Sequence, residues 1–391
     1  MGWRLWGPGA PGTDLPLRYY VLPGEPLYLA SAFAVLPPSA ERYVHVPITV
    51  LLIGAVVAFA AIVGGPRLGV ATGLVAALQP FMIVHGPVWD DTFLAASMEW
   101  VALAAWAAIL HRNAKRGAGA GLTTSAAAGL TTIAALSLGV AAVTRGDVLL
   151  FAVLLAVPAA RRDLHAVRRP IAWALVVVAV AVGAWGLRNR AATGQFEIGS
   201  SHDGITLWES NGPFTAEAIA HGQVMMLSLD SARMEPYWSD TRPMDEAAAN
   251  HYFSRRAVEF VLTHPLNELR LVILKSFYTI TSIRPELPLG SPRNLIGILS
   301  NLVTFALAIV GVRAHRASRA QLTQSASPAA RLLLPLVITT VALIAIGPIG
   351  MRYRIALDGV LWMCAGAGAL HVVGALYSRL HSSSSAPECA S

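Results

Sequence analysis

Charged residues and cysteines are scarce in this sequence, and their scarcity excludes two classes of protein. Only 13% of the 391 residues are charged, whereas roughly 25% are charged in a soluble globular domain. The hydrophobic share of 55% is also more than a soluble fold of this size can bury. The 2 cysteines, Cys364 and Cys389, cannot form the disulfide framework of a small secreted domain. We therefore expect the chain to reside in a membrane.

The sequence signatures of common soluble enzymes are absent as well. It contains no P-loop, no Rossmann glycine fingerprint, no HExxH motif, no CxxC pair and no GxSxG nucleophile elbow. The 11 histidines are scattered along the chain. His85 and His202 are the candidates for metal ligation, although a lone histidine is more often an ordinary polar residue. No metal site is predicted.

Long apolar blocks predict an all-α membrane protein, a polytopic helical bundle of about nine spans. A helix needs about 20 residues to cross the hydrocarbon core, and among the predicted spans Val148–Ala159 is clearly shorter than that. The run Leu27–Leu36 predicts a helix that lies on the membrane surface. The nine predicted spans are Val46–Val63, Leu68–Val84, Thr92–Leu110, Thr123–Ala142, Val148–Ala159, Ile171–Leu187, Leu295–Val312, Leu332–Pro348 and Ala356–Tyr377.

The basic residues predict how the spans are oriented. They cluster in alternate connections, at Arg112–Arg116, Arg161–Arg169 and Arg313–Arg331, which is the positive-inside pattern of a cytoplasmic face. The formal net charge of +7 therefore indicates topology and contact with membrane lipids. No nucleic-acid partner is predicted.

This topology divides the chain into five parts. The amphipathic runs Asp245–Thr263 and Leu266–Ile280, separated by His264-Pro265, predict that the large loop is mostly helical. The five parts are an extracytoplasmic N-terminal segment with an interfacial helix (1–45), a six-span membrane bundle (46–187), an extracytoplasmic loop (188–294), a three-span C-terminal membrane part (295–380) and a disordered cytoplasmic tail (381–391).

Carboxylates near the outer face are the first candidates for chemistry. Asp90 and Asp91 end a short outer connection and begin a span, so they either cap the helix or contact a ligand or cation. A divalent metal between them is allowed but not required. Glu99 lies roughly 12 Å deeper, at about 1.5 Å per residue. An acid within the membrane is a functional candidate by default, and pairing between helices is the alternative.

Several arginines lie on the outer side, where the positive-inside pattern disfavours them. Arg145 lies in a short turn between two spans, and Arg352 and Arg354 precede the last span. An anionic ligand would account for their positions, because a guanidinium binds phosphate oxygens through two parallel hydrogen bonds. Ion pairing with the outer acids is the alternative. Arg188 and Lys275 are further candidates of the same kind.

Six short motifs occur in one order along residues 17–380. Together they resemble the bacterial GT-C glycosyltransferases of the protein O-mannosyltransferase and aminoarabinose-transferase type. The motifs are Leu22–Leu29, Leu78–Pro80 followed by Asp90-Asp91, Thr144-Arg145, Trp185–Asn189 with Gly204–Pro213, Arg256 through His264-Pro265 to Lys275, and Arg352–Arg354.

The resemblance implies a multi-pass enzyme of the bacterial cytoplasmic (inner) membrane. It would transfer a sugar, with inversion, from a polyprenyl-phosphate carrier to an extracytoplasmic acceptor, which is a cell-envelope glycan, a lipid or a protein. The expected catalytic carboxylates are Asp90, Asp91 and Asp14, one of which acts as general base. The resemblance implies phosphate binding by Arg145, Arg352, Arg354, Arg188 and Lys275, and substrate contacts from Glu25, Tyr353 and Asn211.

The sequence departs from the family at its beginning. Family members have a further span and a catalytic Asp before the stretch that corresponds to Leu22–Leu29, whereas here the sole Asp before it is Asp14. Either Asp14 substitutes, or the family's carboxylate lies upstream of Met1, which we favour, or the chain is inactive. Glu25 stands where the family has Tyr. Two alternatives to an enzyme remain, a lipid-carrier flippase or transporter and a non-catalytic subunit of an envelope assembly complex.

Overall fold

The structure is a computed structural model, and it describes residues 22–86, 90–116, 124–220, 231–284, 287–322 and 327–383. Helices make up 83% of it, and none of these ranges contains a strand. The α-helices are α1 Gly24–Phe33, α2 Val46–Gly64, α3 Pro66–Ala77, α4 Pro80–His85, α5 Asp91–Arg116, α6 Thr124–Ala142, α7 Val148–Leu154, α8 Ala156–Ala159, α9 His165–Thr193, α10 Asp203–Ser210, α11 Thr215–Ala220, α12 Ser231–Thr241, α13 Glu246–Thr263, α14 Pro265–Thr281, α15 Pro292–Leu322, α16 Leu333–Ile346 and α17 Ile355–Ser383.

Within the described ranges, seven helical stretches are long and apolar enough to cross a membrane. The chain is therefore a multi-pass membrane protein, and the prediction of an all-α polytopic bundle is confirmed. The seven stretches are Val46–Gly64, Asp91–Ala114, Ser125–Ala142, Arg162–Thr193, Pro292–Ala317, Pro328–Ile346 and Arg352–Arg379.

Two of the nine predicted spans need correction, because each is interrupted. Leu68–Val84 is divided between α3 and α4, and Gln79 between them is extended, with ψ at 121°, as expected for a residue that precedes a proline. Val148–Ala159 is divided between α7 and α8. Pro158 lacks the N–H that would continue the helical hydrogen bonds there. Each of the helices that result is shorter than the about 20 residues that a continuous span needs.

The bundle core is built around α5, which packs against α2, α6 and α17. Its Trp100 and Trp106 are fully buried, and Trp100 Nε1 donates a 2.9 Å hydrogen bond to the Ala356 carbonyl of α17. α15 packs on α17 at close range, because a Cβ added at Gly311 or Gly368 would overlap the backbone of the other helix. Small residues at such a contact allow two membrane helices to approach closely.

The described residues of the connection between α9 and α15 form five helices, α10 to α14. The two predicted amphipathic helices occur as α13 and α14, and Asp245 caps α13 by accepting a 2.8 Å hydrogen bond from Ala248 N. This connection contacts the bundle where α16 ends, since Asn211 Nδ2 donates a 2.7 Å hydrogen bond to the Ile346 carbonyl. We call this end of the bundle the loop end.

The two ends of the described chain also differ from the predicted boundaries. The run Leu27–Leu36 falls partly in the helix α1, which ends at Phe33, and its place on the membrane surface stays a prediction. Gly24 N donates a 2.8 Å hydrogen bond to the Val143 carbonyl just after α6. α17 continues to Ser383, beyond the expected end of the last membrane part at residue 380. The rest of the predicted tail, residues 384–391, lies outside the described residues.

Candidate functional site

Five sequence-predicted residues and one neighbour, Asp147, meet at the loop end. Asp90 and Asp91 come from the beginning of α5, Arg145 and Asp147 from the connection between α6 and α7, and Arg352 and Tyr353 from the 3₁₀ turn before α17. We call Asp90, Asp91, Arg145, Asp147, Arg352 and Tyr353 the arginine–carboxylate cluster.

Asp90 has two partners, one on its own helix and one in the cluster. Its Oδ1 accepts a 2.9 Å hydrogen bond from Thr92 N, which is the geometry of a helix N-cap. Its Oδ2 lies 3.4 Å from Arg352 Nη1. Burial alone would raise the pKa of Asp90, but the Arg352 guanidinium and the hydrogen bonds from Thr92 hold that pKa below its usual range. Asp90 is therefore ionised at neutral pH.

Arg145 connects α5 to the turn between α6 and α7. Its Nη1 lies 3.0 Å from Asp91 Oδ1, and its Nε lies 2.9 Å from Asp147 Oδ1. Nη1 also donates a 3.2 Å hydrogen bond to Thr92 Oγ1. Burial alone would lower the pKa of Arg145, but the carboxylates of Asp147 and Asp91 raise it above its usual value. Arg145 is thus a fixed positive charge.

Tyr353 brings the two arginines of the cluster to one aromatic ring. The guanidinium carbons of Arg145 and Arg352 lie 5.5 and 4.9 Å from the ring centroid, within the range of cation–π attraction. Arg352 Nη2 also donates a 2.7 Å hydrogen bond to the Tyr353 hydroxyl. The side chains of Arg352 and Asp91 are 34% and 43% exposed, so a ligand can reach a cation and a carboxylate together.

A small cavity extends from the cluster into the bundle. Its volume is about 20 Å³, and Glu99, Arg145, Asp147, Thr339 and Thr340 are among the residues that line it. A cavity needs roughly 10–15 Å³ to hold one water molecule, so this one has space for a single water. Glu99 is buried and lines this cavity together with Arg145 and Asp147 of the cluster.

Arg354 is placed differently from Arg352, although they are two residues apart. It is buried, its Nε lies 2.9 Å from Asp358 Oδ1, and its Nη1 donates a 3.0 Å hydrogen bond to the Thr279 carbonyl. Its Nη2 donates a 2.8 Å hydrogen bond to Asn301 Oδ1. These contacts connect α14, α15 and α17, so the geometry gives Arg354 a structural task. Its predicted role at a phosphate stays a prediction.

Lys275 and Asn211 are brought together, but in a buried site of their own. Lys275 Nζ donates hydrogen bonds of 2.6 Å to Asn211 Oδ1 and 3.2 Å to the Ser210 carbonyl, and Glu268 Oε1 lies 3.6 Å away. Burial lowers the pKa of Lys275 to about 8, although Glu268 opposes the shift. These contacts hold α14 against the end of α10.

The remaining predicted residues have other surroundings. Arg188 is exposed, lies 4.9 Å over the Trp185 ring and donates a 3.0 Å hydrogen bond to Asn189 Oδ1 of its own helix. Glu25 Oε1 lies 2.6 Å from Nε2 of the fully buried His45. Asp14 lies outside the described residues.

Sequence reasoning gave no role in this site to three residues that the structure places at or near the cluster, although it named one of them, His202, as a candidate metal ligand. Thr92 follows the two acids directly and bonds both Asp90 and Arg145, a capping position that the sequence Asp-Asp-Thr indicates. Asp147 shares a turn with Arg145, which is the available signal for their pairing. Burial lowers the pKa of His202, which is close enough for the Arg352 charge to lower it further; no pattern in the sequence indicates this proximity.

A metal site formed by histidines, cysteines and acids is not evident in the described ranges. None of their residues form a group of three or more His, Cys, Asp or Glu that could hold a metal ion.

Comparison with known proteins finds no family model that matches and no similar curated protein. Two crystal structures of ArnT from Cupriavidus metallidurans are similar. The one bound to undecaprenyl phosphate has a TM-score of 0.39 and 16% identity, and the apo form has a TM-score of 0.37 and 15% identity. Each match covers 91% of this chain and 67% of the ArnT chain.

Proposed function

We propose that the protein is a membrane glycosyltransferase that moves a sugar from a polyprenyl-phosphate carrier to an acceptor at the loop end. The observation that supports this most directly is the pair of arginines, Arg145 and Arg352, at the ring of Tyr353. Two guanidinium groups at one end of a membrane bundle suit a lipid-borne phosphate. Asp90 and Asp91, in contact with them, supply carboxylates for the acceptor.

The two arginines of the cluster differ in their distance from acid partners and in their exposure. Arg145 has carboxylate partners at 3.0 and 2.9 Å and is mostly buried. Arg352 Nη1 lies farther from its acid partner Asp90, at 3.4 Å, and its side chain is 34% exposed. Arg352 is therefore the group that can turn from a carboxylate to a phosphate oxygen, while Arg145 keeps Asp91 in place.

The proposed reaction is a displacement at the anomeric carbon. Asp90 or Asp91 accepts the proton of the acceptor hydroxyl as the new carbon–oxygen bond forms. The bond between the anomeric carbon and the phosphate oxygen breaks, and its electron pair leaves with the polyprenyl phosphate. Arg352 and Arg145 stabilise the charge that develops on that oxygen. Because the acceptor attacks from the face opposite the phosphate, the configuration inverts.

The test uses the full chain in phospholipid nanodiscs with undecaprenyl-phosphate-linked sugars and a bacterial envelope extract as acceptor. The measurement is the release of undecaprenyl phosphate, followed by mass spectrometry. We expect Arg352→Ala to lower the rate by about 100-fold or more, which is the usual effect of removing one donor to a developing oxyanion. Arg168→Ala, an exposed arginine in the first turn of α9, is the matched control and should retain the wild-type rate.

Two outcomes would overturn the proposal. In the first, none of the sugar donors is cleaved although the protein binds undecaprenyl phosphate. In the second, proteoliposomes move an intact donor from one leaflet to the other without breaking its sugar–phosphate bond, which would identify a flippase.

A further inference from the structure

A second site is visible at the end of the bundle away from the arginine–carboxylate cluster. A groove of about 620 Å³ lies between α5, α6 and α9, and ligand pockets have volumes of roughly 300–1,000 Å³. Residues that line it include Ile109 and Asn113 of α5, Thr131 of α6, and Arg169 and Trp173 of α9. None of the contacts of the cluster involve these residues.

The groove exists because α6 turns small side chains towards α9. Ala127, Ala128, Thr131 and Ala135 of α6 all line it. Nearer the loop end the two helices are in close contact, since a Cβ added at Gly139 would lie 2.9 Å from Val177 Cγ1. The space between the helices therefore opens only near the beginning of α6 and of α9.

The charge at the mouth of the groove is positive. Arg169 lines the groove and is exposed, and its neighbour in sequence, Arg168, is exposed as well. None of the described residues that line the groove is an acid. Asp163, the nearest acid in sequence, is engaged by Arg331 and, at 3.5 Å, by Arg161. An anion at Arg169 therefore meets no carboxylate of the lining.

The lining combines an apolar wall with groups typical of a membrane interface. Trp173 lines the groove and is 62% exposed, and tryptophan is enriched where headgroups meet acyl chains. Asn113, which lines the same groove as Arg169, adds a neutral hydrogen-bond donor and acceptor. Basic pockets between membrane helices are a known way to bind anionic lipid headgroups.

We propose that this groove binds an anionic phospholipid. Its phosphate lies at Arg169 and Asn113, and an acyl chain runs along the small residues of α6 towards Leu136 and Val177. The positive mouth, the absence of an acid from the lining and the apolar wall favour this occupant over a neutral lipid. The site is separate from the proposed transferase function and does not depend on it.

The test measures lipid binding to the delipidated full chain in detergent by native mass spectrometry. Phosphatidylglycerol, or phosphatidylcholine with the same acyl chains, is added to the protein from vesicles. We expect one phosphatidylglycerol to be retained in preference to phosphatidylcholine. Arg169→Ala should weaken that retention about fivefold, the change expected when one arginine near a membrane surface is lost. Arg169→Lys should keep most of it.

Two further variants separate this site from general attraction to a basic surface. Ala128→Phe fills the apolar part of the groove without changing charge, and it should also lower phosphatidylglycerol retention. Arg162→Ala removes an exposed arginine at the same end but outside the lining, and it should have no effect. Thermal unfolding of each variant, measured without lipid, shows that it is folded.

Three results would overturn the proposal. Equal retention of phosphatidylglycerol and phosphatidylcholine would show that the headgroup charge is not recognised. An equal effect of Arg162→Ala and Arg169→Ala would show a diffuse basic surface. Retention of no lipid by the folded wild-type chain would show that the groove is empty or filled by residues 117–123, the connection between α5 and α6 that lies outside the described residues.

Discussion

Arg354 Nε and Asp358 Oδ1 lie 2.9 Å apart, and both side chains are only 6% exposed. Removing one partner of a buried ion pair leaves an uncompensated charge and costs roughly 3–5 kcal/mol. We therefore expect Arg354→Ala to destabilise the protein by about that amount, because Asp358 loses its counter-charge and the Thr279 carbonyl loses a donor. Thermal unfolding in detergent, followed by circular dichroism, measures the effect.

Arg352→Ala is the control for this prediction, because Arg352 is partly exposed and its loss should change stability by less than about 1 kcal/mol. The double variant Arg354→Met with Asp358→Leu should recover part of the stability, since it buries no lone charge. If Arg354→Ala unfolds at the wild-type temperature, the pair has no structural role, and a place for Arg354 in the substrate site becomes the better interpretation.

Substitutions at Asp90 can separate its two roles, the capping of α5 and the negative charge beside Arg352. Asn caps a helix about as well as Asp, whereas Ala does not, at a cost of roughly 1 kcal/mol. We expect Asp90→Asn to keep the wild-type stability and Asp90→Ala to lose about 1 kcal/mol. Both variants should lower sugar transfer, since both release Arg352 from its carboxylate. Chemical unfolding and the release of undecaprenyl phosphate are the two measurements.

A different pattern would reject the role of the Asp90 charge. If Asp90→Asn transfers sugar at the wild-type rate while Asp90→Ala is slow, the residue acts through the cap alone. Thr92→Val gives an independent comparison. This variant keeps the backbone N–H of residue 92, which donates a hydrogen bond to Asp90 Oδ1. It removes the Thr92 hydroxyl, which accepts a hydrogen bond from Arg145 Nη1.

The lowered pKa of the buried Lys275 predicts that the stability of the protein depends on pH in the alkaline range. Burial lowers its pKa to about 8 in the folded state from 10.5 in the unfolded state. Between these values the unfolded chain binds more protons, so stability gains from Lys275 as the pH rises from about 8 to 10.5. The difference in free energy of unfolding between wild type and Lys275→Met should therefore increase over this range. Chemical unfolding at a series of pH values measures it.

The comparison with Lys275→Met is essential, because other groups also titrate above pH 8 and affect both proteins equally. A constant difference between the two proteins across this range would show that the amine is not held in a site that disfavours its charge. Asn211→Ala, which removes the 2.6 Å acceptor of Lys275 Nζ, should lower the stability near neutral pH.

The sequence allowed the class of fold to be predicted, because the membrane sets the length of an apolar helix. It also allowed α13 and α14 to be predicted, since their amphipathic pattern and His264-Pro265 are local signals. The interruption after Ala77 was missed. A single Pro80 in an apolar block is compatible with a kinked span, and only the packing around it decides whether the helix stops.

The candidate site could be predicted in part, for a similar reason. The positive-inside pattern singled out Arg145, Arg352 and Arg354 as unusual on the outer side. That pattern could not separate Arg352, which lies with Asp90, from Arg354, which is buried against α14 and α15. Their different roles follow from which way each side chain leaves the 3₁₀ turn, and this is a property of the tertiary structure.

The contact between α15 and α17 provides a test of the fold that is independent of function. A Cβ at Gly368 would overlap the Leu307 carbonyl, whereas a Cβ at Gly374 of the same helix would meet nothing within 4 Å. We expect Gly368→Ala to destabilise the protein by about 1–3 kcal/mol, the usual cost of overpacking. Gly374→Ala should be neutral or stabilising by up to about 1 kcal/mol, because alanine favours a helix. Thermal unfolding of the two variants side by side measures the contrast, and equal unfolding temperatures would show that α15 and α17 are not in backbone contact at Gly368.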